Sequence, residues 1–559
     1  MTRLGYRNPI IPGFNPDPSM ICVGEFFYLV TSSFEYFPGC PIYRSKDLIH
    51  WELHGHALSR RSQLNLRTVE PGGGIFAATI REHKGRVYVI TCEIHRMEPS
   101  KGFGNGVGPR GFFVYTDNIH EPDSFSDPVY LDNTAIDQDI FFDDITGKTF
   151  VATADIITDP EIMAKKTGFP VACTVREIDV ETGRNLTLEQ LICYTSVGNG
   201  VAEGPHIFRK GKYYYLSVAI GGTETLHQQW IYRSETGPYG PWETASTDVN
   251  PMIFNGDHPE IRLTGHMDLC EGPDGRWWSV YLAVRPQLDE NGEVTKMQSQ
   301  LGRETFLSPV EWVDDWPVVN HRQKATINMP VSAGLPRLEE TFEQIFEFAP
   351  GSPLNKGWYH ARTPVKQDWS VDKRPGSLAL HGGPFAFKDD ECLAMLLRKQ
   401  DAIRGLWQTT VDFEPTMAGE EAGTTLWWSK YAYGSLGIRG VGESGRASKG
   451  KELVFRASNP DEEKEDETVT PLPFDGPILV KIEALDHGYD FFVSFDINGP
   501  TFKKVGHLAA RALTRMRGDN SFCTGSMLGV YAFGVNSRAC LNDAYFSQMS
   551  WKGVRAGGM

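Results

Sequence analysis

An all-β protein in two parts, a five-bladed β-propeller followed by a β-sandwich, is what this sequence predicts, and three observations predict it. One short pattern, glycine, any residue, then an aromatic or β-branched run, occurs five times in the first half. It reads Gly24-Glu-Phe-Phe-Tyr, Gly85-Arg-Val-Tyr-Val, Gly147-Lys-Thr-Phe-Val, Gly211-Lys-Tyr-Tyr-Tyr and Gly275-Arg-Trp-Trp-Ser, at intervals of 61, 62, 64 and 64 residues. The composition, with 57 Gly, 35 Pro, 32 Phe, 20 Tyr and 13 Trp, supplies both turns and strand-forming side chains. The second half keeps strand-like runs but loses the period.

Most of these glycines follow a polar residue, as in Lys84-Gly85 and Asp274-Gly275. That is the chemistry of a hairpin loop that needs φ > 0 before its second strand begins. Hairpins repeated radially as four-stranded blades make a propeller, and the reading places it over residues 1–320. The period exceeds the ~40 to 50 residues of common blades, so long loops, at 94–112 and 155–171, must take up the excess. The turn-rich stretch 321–337 reads as a linker. Residues 338–559 read as the sandwich, with strands at Leu426-Trp427-Trp428, Ile478-Leu-Val, Tyr489-Asp-Phe-Phe and Leu528-Gly-Val-Tyr. The acidic run Asp461–Glu467 reads as a solvated loop between strands.

A formal charge of −16 argues against nucleic acid or an anionic membrane as partner, since both need a basic face; a neutral substrate fits better. Nine scattered cysteines, without a C-x-x-C pair, argue against a structural zinc and leave at least one thiol free. The start Met1-Thr-Arg-Leu-Gly has no apolar signal-peptide core, and no run reaches the ~18 apolar residues of a membrane helix. A soluble chain is expected, cytoplasmic or secreted after removal of a leader.

The strand before each glycine turn should be innermost. Aligning these strands gives Asp17-x-x-Met20, Ala77-x-x-Ile80, Asp137-x-x-Ile140, Glu203-x-x-His206 and His266-x-x-Leu269. Three carboxylic acids and a histidine then share one depth, with Asp139 and Asp268 on the same face as alternates. Asp17 is also clamped between Pro16 and Pro18, which fix their own φ. Converging carboxylates repel one another and are desolvated, so at least one pKa should rise. One ionised and one protonated carboxyl can hydrolyse a glycosidic bond, while the same gathering could instead cage a hard cation.

The run Asn8-Pro-Ile-Ile-Pro-Gly-Phe-Asn-Pro-Asp17-Pro-Ser, with Thr31-Ser-Ser-Phe34-Glu-Tyr-Phe-Pro-Gly39 and Ser45-Lys-Asp-Leu-Ile-His-Trp51, resembles the family 43 glycoside hydrolases of the β-xylosidase and α-L-arabinofuranosidase kind. Ala135-Ile-Asp137-Gln-Asp, Ala202-Glu203-Gly-Pro-His and Gly302-Arg-Glu-Thr resemble further segments of that family. The resemblance implies an inverting exo-glycosidase acting on xylo-oligosaccharide or arabinoxylan. Asp17 would be the general base, Glu203 the general acid, and Asp137 the residue that raises and orients the acid. It implies no required cofactor, although some members place calcium or water on the propeller axis near the residue matched by His266. Arg285, in Val-Arg-Pro, matches an arginine that reaches sugar hydroxyls, with a salt bridge as the alternative role. Phe34 is a candidate to stack on the sugar or simply core, and His227 is a candidate at the rim. Where many relatives have Ile-Trp-Ala-Pro, this chain has Ile75-Phe76-Ala77-Ala78, so the pocket wall at Phe76, and with it the choice of pentose, is open. The sandwich is expected to pack on the propeller and help close the pocket, or else to act as a stabilising or sugar-binding appendage.

Overall fold

The computed structural model describes residues 4–95, 109–289, 291, 299–330, 335–336, 341–459, 464–513 and 523–554. Five antiparallel sheets form the first part, each running outward in chain order. The inner strands are Ser19–Val23, Thr79–His83, Ile136–Asp143, Ala202–Lys210 and Arg262–Glu271. These five lie against one another around an axis. The outermost are Glu52–Leu58, Val129–Tyr130, Gln190–Cys193, Glu243–Thr244 and Trp316–Val319. The second blade gains an extra short strand, Gly74–Ile75, paired with Arg86–Ile94.

The glycine pattern has the predicted cause. Gly24, Gly85, Gly147, Gly211 and Gly275 all adopt φ between +61° and +84° in the turn out of an inner strand, where a side chain would be strained. The aromatic and β-branched residues that follow fill the seams between blades. Tyr28 and Val89 share one seam, Ile90 and Val151 the next, then Phe150 with Leu216, Tyr215 with Tyr281, and Trp278 with Leu29. The last seam closes the ring. Here the N-terminal segment docks on the fifth blade: Tyr6 Oη donates to Leu307 O at 2.8 Å and Asn8 Oδ1 accepts from Leu307 N at 2.9 Å.

Asn328–Pro330, inside the expected linker, pairs with Leu4–Arg7 and so belongs to the propeller's edge. Of the two long loops, 155–171 carries a short helix, Pro160–Lys165, while residues 96–108 of the other lie outside the described set. Residues 461–463 of the acidic run also lie outside it; Glu465, Asp466 and Glu467 are not loop but part of an edge strand, Glu465–Pro471, whose exposure suits their charge. No helix among the described residues is long and apolar enough to cross a membrane, and all nine cysteines are free thiols.

The second part is a sandwich of an eight-stranded and a six-stranded sheet around Trp407, Trp428, Phe491 and Trp551. Its contact with the propeller is continuous. Strand His360–Ala361 pairs with Tyr36–Phe37, and Phe14, Phe34, Tyr36 and Phe76 pack against Tyr359, Met395, Trp427 and Met527. At Gly302 (φ +76°) a Cβ would stand 2.3 Å from Thr524 O, so the two parts meet backbone to backbone beside Arg303.

Candidate active site

The inner strands enter the axis through irregularities, and the site residues sit on them. Asp17, Asp137 and His266 adopt φ of +54°, +55° and +52°, and the ladders slip beside Asp137 and His266. A non-glycine residue in this region costs about 1–3 kcal/mol and persists only where its surroundings impose it. In the fourth blade the matching position is Gly204 (φ +55°), followed by a slip between Glu203 and His206. The alignment of Glu203 with Asp17 is therefore one residue out. The hydrogen bonds agree: Met20 N donates to Asp268 Oδ2, Ile80 N to Ser19 Oγ and Ile207 N to Asp139 Oδ2. Ser19, Asp139, His206 and Asp268 thus form a second tier, two residues below Asp17, Asp137, Gly204 and His266. Glu203 comes in just before its bulge, and sequence periodicity alone could not reveal the extra residue.

Asp17 is held at both oxygens. Ser32 Oγ donates to Oδ2 at 2.6 Å and Arg303 Nη1 to Oδ1 at 3.0 Å; His266 Nδ1 lies 3.9 Å from Oδ1. Burial alone would raise this carboxyl, but Arg303, His266, Ser32 and His227 together outweigh it and hold it below the ordinary carboxylate range. Upstream, Asn15 fixes the same loop. Its N–H donates to Arg303 O, its carbonyl accepts from Thr305 Oγ1, and its Oδ1 accepts from Tyr43 Oη at 2.6 Å and from Lys399 Nζ of the sandwich at 2.8 Å.

Asp137 accepts from Gly204 N at 2.9 Å. That bond ties it to the residue after Glu203, and close packing explains the glycine, since a Cβ there would lie 3.1 Å from the His266 ring. Burial raises the Asp137 carboxyl and Asp17 adds to the rise, with His266 pulling the other way. Glu203 is half-buried. Burial, then Asp137, then Asp17, push it up to about 8 against the pull of Arg303. At neutral pH the arrangement therefore offers one carboxylate and one carboxylic acid, the second kept protonated by its neighbours.

The other candidates fall out differently. Phe34 and Phe76 are both in the cluster between the two parts, their rings 5.0 Å apart; Phe34 also lies under the Arg303 guanidinium, 5.5 Å away. His227 is not at the rim. It is buried, donates Nδ1–H to Leu263 O at 2.9 Å, and packs so tightly on Gly265 that a Cβ there would lie 2.5 Å from its ring. Burial, with His266 and Arg303 adding, lowers it to about 3, so it stays neutral.

Arg285 does not reach into the site. Both arms of its fork go to Glu304, at 2.7 and 2.8 Å, in a buried pair whose carboxylate also caps Gly13 N. The guanidinium beside Asp17 is that of Arg303, which further donates to Thr223 Oγ1 and, across the domain boundary, to Cys523 O, each at 3.3 Å. Arg303 belongs to the Gly-Arg-Glu-Thr run, and its neighbour Glu304 is the signal that separates the two arginines: a buried acid takes one of them out of service.

A propeller whose mouth sets an ionised aspartate against a protonated glutamate defines a glycoside-hydrolase type of site. The sequence comparisons agree with that class. The model of glycosyl hydrolases family 43 matches residues 6–317, and that of the beta xylosidase C-terminal concanavalin A-like domain matches residues 346–552. The chain belongs to glycoside hydrolase family 43. It is 33% identical to a non-reducing end alpha-L-arabinofuranosidase of Bacteroides ovatus, covering 98% of this chain and 94% of that one. It is 30% identical to a xylan 1,3-beta-xylosidase of a Vibrio species, covering 76% and 77% of the two chains. Among solved structures, xylan beta-1,4-xylosidase from Bacillus halodurans superposes with a TM-score of 0.81 at 26% identity, covering 98% of this chain and 100% of that one.

Proposed function

We propose that this glycoside hydrolase is an inverting exo-enzyme that releases terminal or side-chain pentoses from xylan or arabinoxylan, of the β-1,4-xylosidase type. The observation that carries the reading is the split between Asp17, held low, and Glu203, raised to about 8 beside Asp137. In this mechanism Asp17 takes a proton from a water, which attacks the anomeric carbon from the face opposite the leaving group. Glu203 gives its proton to the departing glycosidic oxygen, so hydroxide equivalent and proton together complete the hydrolysis. Asp137 keeps Glu203 protonated until that moment and orients it through Gly204. Arg303 holds Asp17 ionised and is the donor best placed to meet a sugar hydroxyl.

The sandwich supports exo action, because its Cys523 carbonyl and the cluster around Phe34 and Phe76 back one side of the site. A second reading, α-L-arabinofuranosidase on arabinoxylan side chains, is favoured by the Bacteroides relative. Product analysis on xylobiose and on arabinoxylan separates the two: release of xylose from xylobiose supports the first, and arabinose alone from arabinoxylan the second. NMR of the first-formed anomer tests inversion. A protein that only binds glycans would release neither sugar.

A further inference from the structure

Below the reacting carboxylates, the propeller axis is filled by one side chain that the mechanism does not use. Arg81 comes from the second blade, the one whose upper position is only Ala77. Its Nε lies 2.9 Å from Asp139 Oδ1. Its Nη1 donates to Asp268 Oδ2 at 2.7 Å and to Ser19 Oγ at 3.2 Å, and its Nη2 donates to Asp268 Oδ1 at 3.2 Å and to His206 Nδ1 at 3.1 Å. The other four blades thus converge on the guanidinium supplied by the second.

A hard cation on the axis at this depth would have to take its oxygens from these residues, and the donors do not suit one. Calcium takes six to eight oxygens. Here both Asp268 oxygens already accept from Arg81 and from the N–H groups of Met20 and Leu269, one Asp139 oxygen accepts from Ile207 N–H while the other faces Arg81 Nε, and His206 presents a nitrogen. That ring stands edge-to-face to His266, with centroids 6.0 Å apart, and His266 adjoins Asp17.

We infer that Arg81 is the axial cation of this propeller, built into the chain in place of a divalent ion, and that it acts as a positioning residue for the tier above through His206 and His266. Two consequences follow. The native protein has no use for calcium at its axis. Removing the guanidinium leaves two carboxylates and a hydroxyl facing one space, so an Arg81→Ala variant acquires a cation site that the native chain lacks.

The test uses the full chain and does not depend on the proposed substrate. For the native protein, metal analysis is expected to find far less than one calcium per chain, and Tm is expected to be the same in EDTA and in millimolar CaCl2. For Arg81→Ala, Tm is expected to fall by several degrees in EDTA and to recover in part with CaCl2, or with guanidinium chloride at low millimolar concentration. Any hydrolytic activity should follow the same pattern. Arg81→Lys, which keeps a charge, should be insensitive to calcium. Calcium at about one per native chain, or a native Tm lowered by EDTA, would overturn the inference whether or not the variants fold. So would an Arg81→Ala protein with native Tm and native pH profile.

Discussion

Two tiers of acidic residues line the same axis two residues apart, and their chemistry is opposite. In the lower tier Asp268, although fully buried, is pulled down to about 2, burial being outweighed by Arg81, His206 and Ser19. In the upper tier Asp137 is raised and Glu203 stands near 8. Burial is common to both, so it does not decide the matter. What decides it is where the two arginines go: Arg81 is spent wholly on the lower tier, and Arg303 makes a single contact with Asp17 and pulls on Glu203 too weakly to offset burial, Asp137 and Asp17. A tier whose two carboxylates share one guanidinium braces the fold, and a tier whose guanidinium bonds to only one of its acids keeps a proton available.

The largest effect that would break this contrast comes from the upper tier. Asp17→Ala and Glu203→Ala should each lower kcat/KM on a natural pentoside by about 10²–10⁴-fold or more, with Tm within a few degrees of native. Glu203→Ala should largely spare aryl glycosides whose leaving group needs no proton. Equal losses on both substrates would remove Glu203 from the role of acid. The pH profile of kcat/KM on an unactivated substrate gives the same contrast in another form. It should fall on the acid side where Asp17 is protonated, below the ordinary carboxylate range, and on the alkaline side near 8, where Glu203 loses its proton.

Asp137→Asn should move that alkaline limb. Removing a neighbouring negative charge lowers the Glu203 pKa, so the limb moves to lower pH. Once it lies below the assay pH, the protonated fraction of Glu203, and activity with it, drops about tenfold for every further pH unit. An unmoved limb with a uniformly lower rate would mean that Asp137 only orients.

The arginines offer a paired test of intermediate size. Arg303→Lys should cut kcat/KM with little change in Tm, because a lysine cannot reach Asp17, Thr223 and the Cys523 carbonyl together. Arg285→Ala should do the reverse. It strands the buried Glu304 carboxylate, at a cost of about 3–5 kcal/mol, while the surviving folded protein keeps near-native kcat/KM. The sequence pointed to Arg285 because its Val-Arg-Pro setting resembles that of a family arginine, and a short motif does not say which arginine has an acid facing it.

That limit was general. The blade count, the glycine turns and the convergence of Asp17, Asp137 and Glu203 on one axis were legible, since they rest on period, turn chemistry and residue type. The one-residue bulge at Gly204, the burial of His227 and the axial place of Arg81 were not. Each depends on how strands from different blades meet, and contacts over about sixty residues of chain leave no mark on local pattern.

The smallest predicted effect is the sharpest comparison, because it puts one substitution at each of two neighbouring aspartates. Asp139→Asn lies two residues from Asp137 on the same strand, yet it alters the tier built around Arg81. Arg81 would keep Asp268 and Ser19, and an amide oxygen can still accept the Ile207 N–H that now lies 2.7 Å from Asp139. The loss is then one charge-assisted contact, about 1.5–3 kcal/mol at most, read as a lower denaturation midpoint. The alkaline limb near 8 should stay where it is, since Asp139 is not among the groups that raise Glu203. If Asp139→Asn moved the limb as far as Asp137→Asn does, the two tiers would be one electrostatic unit, and the protonation of Glu203 would be a property of the whole axis.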